Sequence, residues 1–431
     1  MKYALLSLLL VSSLVCAAAE DKLVIHEWGT FTSLQNDDGV GLGGLNADAE
    51  PLPGFVKTLK LGIDEAPNAF AKGLALVHPE ISMRLETPVV YFHPPQNMAL
   101  PFELDFSVQF KGGWLTQYYP DATASAPGIK GSKRSSIGKL TPATIGSLAW
   151  PKLKVGVNSP IPETKEQVWL APRAVDAAVV ANAKGEAEKY LFYRGVGNIA
   201  APLKVMRSGS KLCVTPHIDS TLSTTDGIPL ATEAKKIHTL WLAHFRPGGT
   251  CAFKQIKTDG FANLNGADCV ETSDTFSAGD YAAENVSALR TAMHGELMAD
   301  GLYADEADAL LNTWNAAYFK SAGLRLFFLV PRGWTDHYLP LKVSMPAEIV
   351  RTMVGRIELI SPEQRAALDT MSSMTNFTDE KAVAALYTSA QKLGRFTTPL
   401  LWDRFRAQPT AGIKFAKERF ALPAYALEDV K

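Results

Sequence analysis

From residue 20 to about 280 the chain alternates apolar and polar positions in short runs. "KLVIHEWGTFTSL" (22–34) opens the pattern, and "FELDFSVQF" (102–110) keeps a clean period of two. "ISMRLETPVVYFH" (81–93) ends at Pro94-Pro95, which cannot continue a hydrogen-bonded ladder. "GGWLTQYY", "KYLFYRGVG", "PLKVMRSGSKLCV", "KIHTLWLAHF" and "TCAFKQI" extend the series. Many short strands punctuated by Gly and Pro predict antiparallel sheets, most simply a β-sandwich.

After residue 280 the period lengthens. "AENVSALRTAMHGELMADG" (283–301) predicts a helix ending near Gly301, with Leu302 placed for the apolar contact of a glycine C-cap. "ADEADALLNTWNAAYFKSAG" (304–323) predicts a second helix, acidic at its start. "LRLFFLVP" and "VGRIELI" read as strands flanking a short helix near "AEIVRTM" (347–353). "SPEQRAALDTM" opens with Ser361 as N-cap, Pro362 at N1 and Gln364 at N3, a capping box. "TDEKAVAALYTSAQKLG" and "PLLWDRFRA" are helical as well. The class is therefore α+β: an antiparallel, sandwich-like N-terminal two thirds (20–280) with a helical C-terminal part (281–431) packed on it as one unit.

Composition changes this picture little: 47% hydrophobic and 20% charged residues are globular values, and 431 residues suffice for a sizeable core. The net charge of −1 offers no basic surface for nucleic acid or an anionic membrane. The first 19 residues do matter. Lys2, the apolar run "ALLSLLLVSSLV" and the small residues "AAA" before Glu20 form a cleavable export signal. A lipid anchor at Cys16 competes, but its processing calls for Gly, Ala or Ser at the preceding position, where Val15 stands. No later segment approaches membrane-spanning length. The expected location is periplasmic or secreted.

Export leaves Cys213, Cys251 and Cys269 in an oxidising compartment. The two extended arms of "TCAFKQIKTDGFANLNGADCV" around a Gly/Asn turn favour a Cys251–Cys269 disulfide with Cys213 free.

Four phrases, "HEWGTFTS" (26–33), "RLETPVVYF" (84–92), "YRGVG" (193–197) and "VGRIEL" (354–359), resemble a group of exported bacterial proteins of unknown function that carry an HEWGTFT motif. The likeness runs through most of the mature chain. It implies export, a bacterial source and single-unit architecture, and it transfers no site.

No complete catalytic constellation stands in the sequence. On a strand, His26 shares a face with Trp28 and Thr30 while Glu27 points the other way, so the two cannot clamp one ion without a bulge at Gly29. His238 and His244 share a strand face but lie roughly 20 Å apart at about 3.3 Å per residue. His217 and Asp219 have a two-ligand spacing without a third ligand. The G-x-G-x-x-A at Gly195, Gly197 and Ala200 cannot bind a dinucleotide, because Pro202 and the alternating run after it forbid the helix that would face the pyrophosphate. Arg194 beside that turn suits a carboxylate or phosphate, or a structural ion pair. The glycine-rich loop after the first strand carries Asp37, Asp38, Asn46, Asp48 and Glu50, with Asp37, Asp38 and Asp48 as a weak calcium site. The loop "PRGWTDHYLPL" (331–341), at the exit of a buried strand, concentrates Arg332, Trp334, Asp336, His337 and Tyr338. It is the favoured site region, with Asp336 and His337 as an acid/base pair.

Two functions follow. One is a ligand-binding or envelope-associated scaffold, using Arg194, Arg332 and Trp334 on a small molecule, glycan or envelope component. The other is a hydrolase-like, metal-assisted enzyme using His26, Glu27, Arg194, Asp336 and His337, which requires those side chains to line one pocket.

Overall fold

The structure, a computed structural model, describes residues 22–45, 51–59, 76–129, 136–217, 222–224, 226–258, 261 and 269–428. The export signal with Cys16, the loop residues Asn46, Asp48 and Glu50, and Asp219 lie outside the described residues. The protein is mixed α/β, with one large sheet and a helical C-terminal part. No helix among the described residues is long and apolar enough to cross a membrane.

The middle of the sheet is built around β1 (Leu23–Gln35). On one side β1 pairs antiparallel with β2 (Met83–His93). β3 (Phe102–Lys111), β4 (Gly113–Tyr119), β5 (Ile145–Val155) and β6 (Leu191–Gly197) continue that side, in the order β1-β2-β6-β4-β5, with β3 paired on β5. A separate three-stranded sheet holds β7 (Leu203–Ser208) and β8 (Lys211–Pro216). β9 (Thr239–Phe245) and β10 (Cys251–Lys257) end the other side of the large sheet, and β11 (Val270–Ser273) joins β8. Two C-terminal strands, β12 (Gly323–Val330) and β13 (Ala347–Leu359), fill the space between β1 and β9. β13 runs parallel to β1 over its whole length, Leu23 opposite Ala347 through Gln35 opposite Leu359. The C-terminal part therefore supplies two inner strands of the sheet in addition to packing helices on it.

That arrangement corrects one expected element. "AEIVRTM" is the first half of β13 and not a helix. Ile349, Val350, Thr352 and Val354 are β-branched residues that suit a pleated, paired surface. The two helices after residue 280 fall as expected: α1 (Glu284–Ala299) ends at Gly301, whose φ of 114° only glycine adopts readily, and Leu302 is buried beside it. α2 (Ala304–Thr313) follows and runs into a π-helical turn over Asn315–Lys320. α3 (Arg332–Tyr338) is short, and α4 (Pro362–Ser373) begins with the predicted Ser361–Gln364 capping box.

Side-chain alternation gives each strand two faces. On one, Ile25, Phe31 and Phe92 share a core with Phe106 and Trp150, the Phe92 and Phe106 rings 5.7 Å apart. On the other, Trp28 and Tyr91 pack with Leu289, Met293 and Leu310 of α1 and α2. The register of β1 on β2 slips between Trp28 and Thr30, at a bulge where Thr87 takes a positive φ. A Cβ at Gly29 would be crowded there, 3.0 Å from the Pro88 backbone and 3.1 Å from Met353.

Further along the helix-covered face lies a buried ionic cluster. Glu86 accepts from Thr32 at 2.9 Å and pairs with Arg84 at 3.1 Å and Arg356 at 3.3 Å. Glu358 pairs with Arg325, Arg356 and Arg395. Burial alone would raise the Glu86 carboxyl, but the guanidiniums of Arg356, Arg84 and Arg395 outweigh it and hold the pKa at about 2. A depressed folded-state pKa contributes stability that is complete above the unfolded value near 4.5 and is lost as pH falls toward 2. We expect Glu86 to contribute about 3 kcal/mol in this way. Urea denaturation between pH 7 and pH 2 checks it: the deficit of Glu86→Gln should be largest near neutrality and shrink across that window.

The disulfide joins Cys213 to Cys269, and Cys251 is free and buried. The expected Cys251–Cys269 pair fails because its two arms belong to different sheets. Cys251 starts β10 of the large sheet, whereas Cys269 leads into β11, which pairs with β8 and sets Glu271 opposite Cys213. Burial pushes the Cys251 thiol up to about 12. Iodoacetamide should therefore leave Cys251 unmodified in native protein and alkylate it fully in denaturant, as peptide mapping would show.

Candidate metal centre

The strand reading of "HEW" holds. His26 faces the helices and Glu27 the opposite core, and each enters a different network.

Glu27 lies directly opposite Arg351 in the parallel β1–β13 ladder. Its carboxylate, fully buried, accepts hydrogen bonds from Arg351 and from the Tyr193 hydroxyl. Burial and the Glu27 charge push the Tyr193 phenol well up. Arg351 also donates to Asp336 at 2.8 Å and to the Leu339 carbonyl at 2.7 Å. Arg332 donates to Asp336 at 2.6 Å and to the Ile349 carbonyl at 2.7 Å. Three predicted site residues, Glu27, Asp336 and Arg332, are thus linked through Arg351, in an arrangement that ties α3 to the sheet.

The remaining predicted residues do not join them. The segment carrying Arg332, Trp334, Asp336 and His337 is a short helix, and not an open loop at a strand exit. Trp334 is buried edge-on against Phe31 at 4.8 Å. His337 packs on the Tyr338 ring, and burial followed by the Lys111 charge lowers its pKa. Arg194, 2% exposed, donates to Thr87 at 2.9 Å and lies 5.8 Å from the Trp314 ring. Its guanidinium is packed beside Trp314, the residue that leads into the π-helical turn. Asp37 pairs with Arg207 at 2.7 Å and Arg365 at 3.5 Å, so its charge is already compensated, and Asp38 lies in an Asn36-centred turn. The calcium reading loses its first ligand for that reason. Asp336 and Arg332 line a cleft of about 640 Å³ with Glu233, His238 and Asp300, and none of His26, Glu27, Arg194 and His337 lines it. The convergence required of His26, Arg194, Asp336 and His337 does not occur.

His26 makes a different cluster. At the rim of the sheet, Val24 of β1 is opposite His93 of β2, which places His93 diagonally across from His26 on the same face. Glu306, the third residue of α2, reaches down between them. His26 Nδ1 donates to Glu306 Oε2 at 2.7 Å, and His93 Nε2 donates to Oε1 at 3.0 Å. The backbone N–H of Tyr303 also donates to Oε2, at 2.8 Å, so Glu306 serves as capping residue of its own helix. His26 and Glu306 are buried, and the His93 side chain is 13% exposed. The Tyr303 ring covers both imidazoles, with centroids 4.5 Å from His26 and 5.1 Å from His93, and is itself 47% exposed. Burial alone would raise the Glu306 carboxyl, but the hydrogen bonds from His26 and His93 outweigh it and lower the pKa. The Tyr303 phenol is raised by burial first, then by the charges of Glu306, Glu348 and Asp305.

Two imidazoles and a carboxylate are borderline donors that suit zinc and other first-row divalent ions. One ligand atom from each lies within 4.8 Å of the others. Donors held about 2.1 Å from one ion in a tetrahedral shell lie about 3.4 Å apart, so a closure of about 1.4 Å or less brings all three onto it. The two nitrogens that now donate to Glu306 would present lone pairs to the ion, each imidazole keeping its proton on the other nitrogen. Among the described residues no other group of three such side chains meets this geometry.

No protein-family model matches the chain, and no curated protein matches it. Among solved structures, the Fcho1 Mu homology domain of Danio rerio with bound Eps15 peptide aligns over 78% of this chain and 94% of that chain, at 8% identity and a TM-score of 0.24. A likeness of that size carries no inference about fold or activity.

Proposed function

We propose that this is an exported, soluble bacterial protein of the HEWGTFT-bearing group, and that its ligand is a divalent first-row transition metal held by His26, His93 and Glu306. The observation that carries this reading is the convergence of these three side chains from β1, β2 and α2 at a buried rim of the sheet. Phe106 of β3 and Trp150 of β5 share one core with Ile25 of β1 and Phe92 of β2, which supports a sandwich-like packing behind the site. A site on such elements is pre-organised. The export signal and the "HEWGTFTS" phrase support a periplasmic or secreted location. Three protein ligands are also the number found in catalytic zinc sites, so metal-assisted hydrolysis is the second reading.

Calorimetric titration with zinc tests the first reading. Wild-type protein should bind one equivalent, with affinity falling as pH is lowered, because protons compete with the ion for its ligands. His93→Ala should lose that site while melting cooperatively. Wild-type protein that binds no zinc in the absence of chelators would refute the reading.

A further inference from the structure

The three donors leave a divalent ion with a net positive charge, since both imidazoles are neutral ligands and only Glu306 is anionic. A buried uncompensated charge is costly, and nearby groups that could neutralise it are therefore informative. The strand register places one. Val24 is flanked by His93 on β2 and by Glu348 on β13. Paired residues share a face, so His93, Val24 and Glu348 form one row across three strands, next to the row of Tyr91, His26 and Val350. Glu348 is therefore diagonal to His26 on one flank as His93 is on the other, at a separation that long side chains span. It lies at the same rim, and its charge is felt at Tyr303, whose ring covers the imidazoles.

Glu348 is exposed, and its side chain forms no hydrogen bond or ion pair with a described residue. By contrast Glu27, Glu86 and Glu358 on the same strands are all engaged by arginines. Nothing in the packing requires an acid at position 348.

We propose that Glu348 is the fourth donor of the centre: a rim carboxylate that meets an incoming cation from solvent and closes over it beside Tyr303. The proposal rests on the metal reading above and extends it. Two carboxylates and two neutral imidazoles make a divalent site electrically neutral, which a buried rim position favours over a site of net charge. The same four donors complete a tetrahedral shell, which is the closed form of a binding site.

The test is a zinc competition titration against a chromophoric chelator, with wild type, Glu348→Gln and, as a distant exposed carboxylate, Glu271→Gln. Each protein is also loaded with cobalt(II) and its visible d–d bands recorded. Glu348→Gln should keep one site and a normal melting temperature but bind zinc about 10–100-fold more weakly, the range seen when even an outer partner is lost. Its cobalt bands should change in position and intensity as water or the amide replaces the carboxylate. Glu271→Gln should match wild type in both. If wild type binds zinc and Glu348→Gln has the same affinity and spectrum, Glu348 is not a donor, and the three-residue centre stands without it. If wild type binds no zinc, the centre and the proposal both fail.

Discussion

Glu27→Gln should cost about 3 kcal/mol of folding stability and leave zinc affinity unchanged. Glu27 is wholly buried and, among the described residues, is the only buried carboxylate paired with Arg351, which is itself 3% exposed. Glutamine preserves the shape and can still accept from Tyr193, but it leaves Asp336, whose side chain is 40% exposed, as the remaining charged partner of the guanidinium. Removing one partner of a buried pair strands the other charge, and that penalty is about 3–5 kcal/mol. Because Arg351 also anchors α3 through the Leu339 carbonyl, the loss should appear as a lower urea midpoint for the whole protein. A variant with wild-type stability and abolished zinc binding would move Glu27 into the site and overturn its assignment to the opposite face.

The second large effect concerns Glu306. Glu306→Ala should weaken zinc binding by more than about 100-fold, since it removes a direct ligand and not an outer partner. It should also lower the stability of the metal-free protein by about 1–3 kcal/mol. His26 and His93 lose their shared acceptor in a largely buried place, and the Tyr303 N–H loses its cap. Glu306→Gln separates these losses. The amide can still cap the helix and accept one imidazole hydrogen bond, so stability should recover in part while zinc affinity stays low. Full zinc affinity in Glu306→Gln would show that this carboxylate is not a ligand.

Part of this was legible in the chain. The alternation in "LVIHEWGTFTS" was enough to put His26 beside Trp28 and Glu27 on the other face, because strand side chains have period two whatever the strand pairs with. What alternation cannot show is the partner. His93 is a lone polar residue closing the apolar run "PVVYF" before Pro94-Pro95, and Glu306 looks like an ordinary acid in a first helical turn. They become ligands only because β2 flanks β1 and α2 crosses that end of the sheet, 280 residues along the chain from His26 in the case of Glu306. The same non-local pairing misled the reading of "AEIVRTM", whose apolar spacing fits a short helix until the parallel ladder with β1 claims all of β13. It also misled the cysteines, where two arms around a turn suggested a hairpin although each arm belongs to a separate sheet. The Asp336–His337 region drew notice through its density of functional side chains. Those side chains are consumed by Arg351, Arg332 and the Tyr338 ring in fixing a helix to the sheet.

Anomalous scattering at the zinc edge, from crystals of the protein loaded with one equivalent of zinc, tests the central claim most directly. The account predicts one strong peak about 2.0–2.2 Å from His26 Nδ1, His93 Nε2 and a carboxylate oxygen of Glu306. Zinc bound only by other residues, with His26 and His93 still donating to Glu306 and no peak between them, would contradict it.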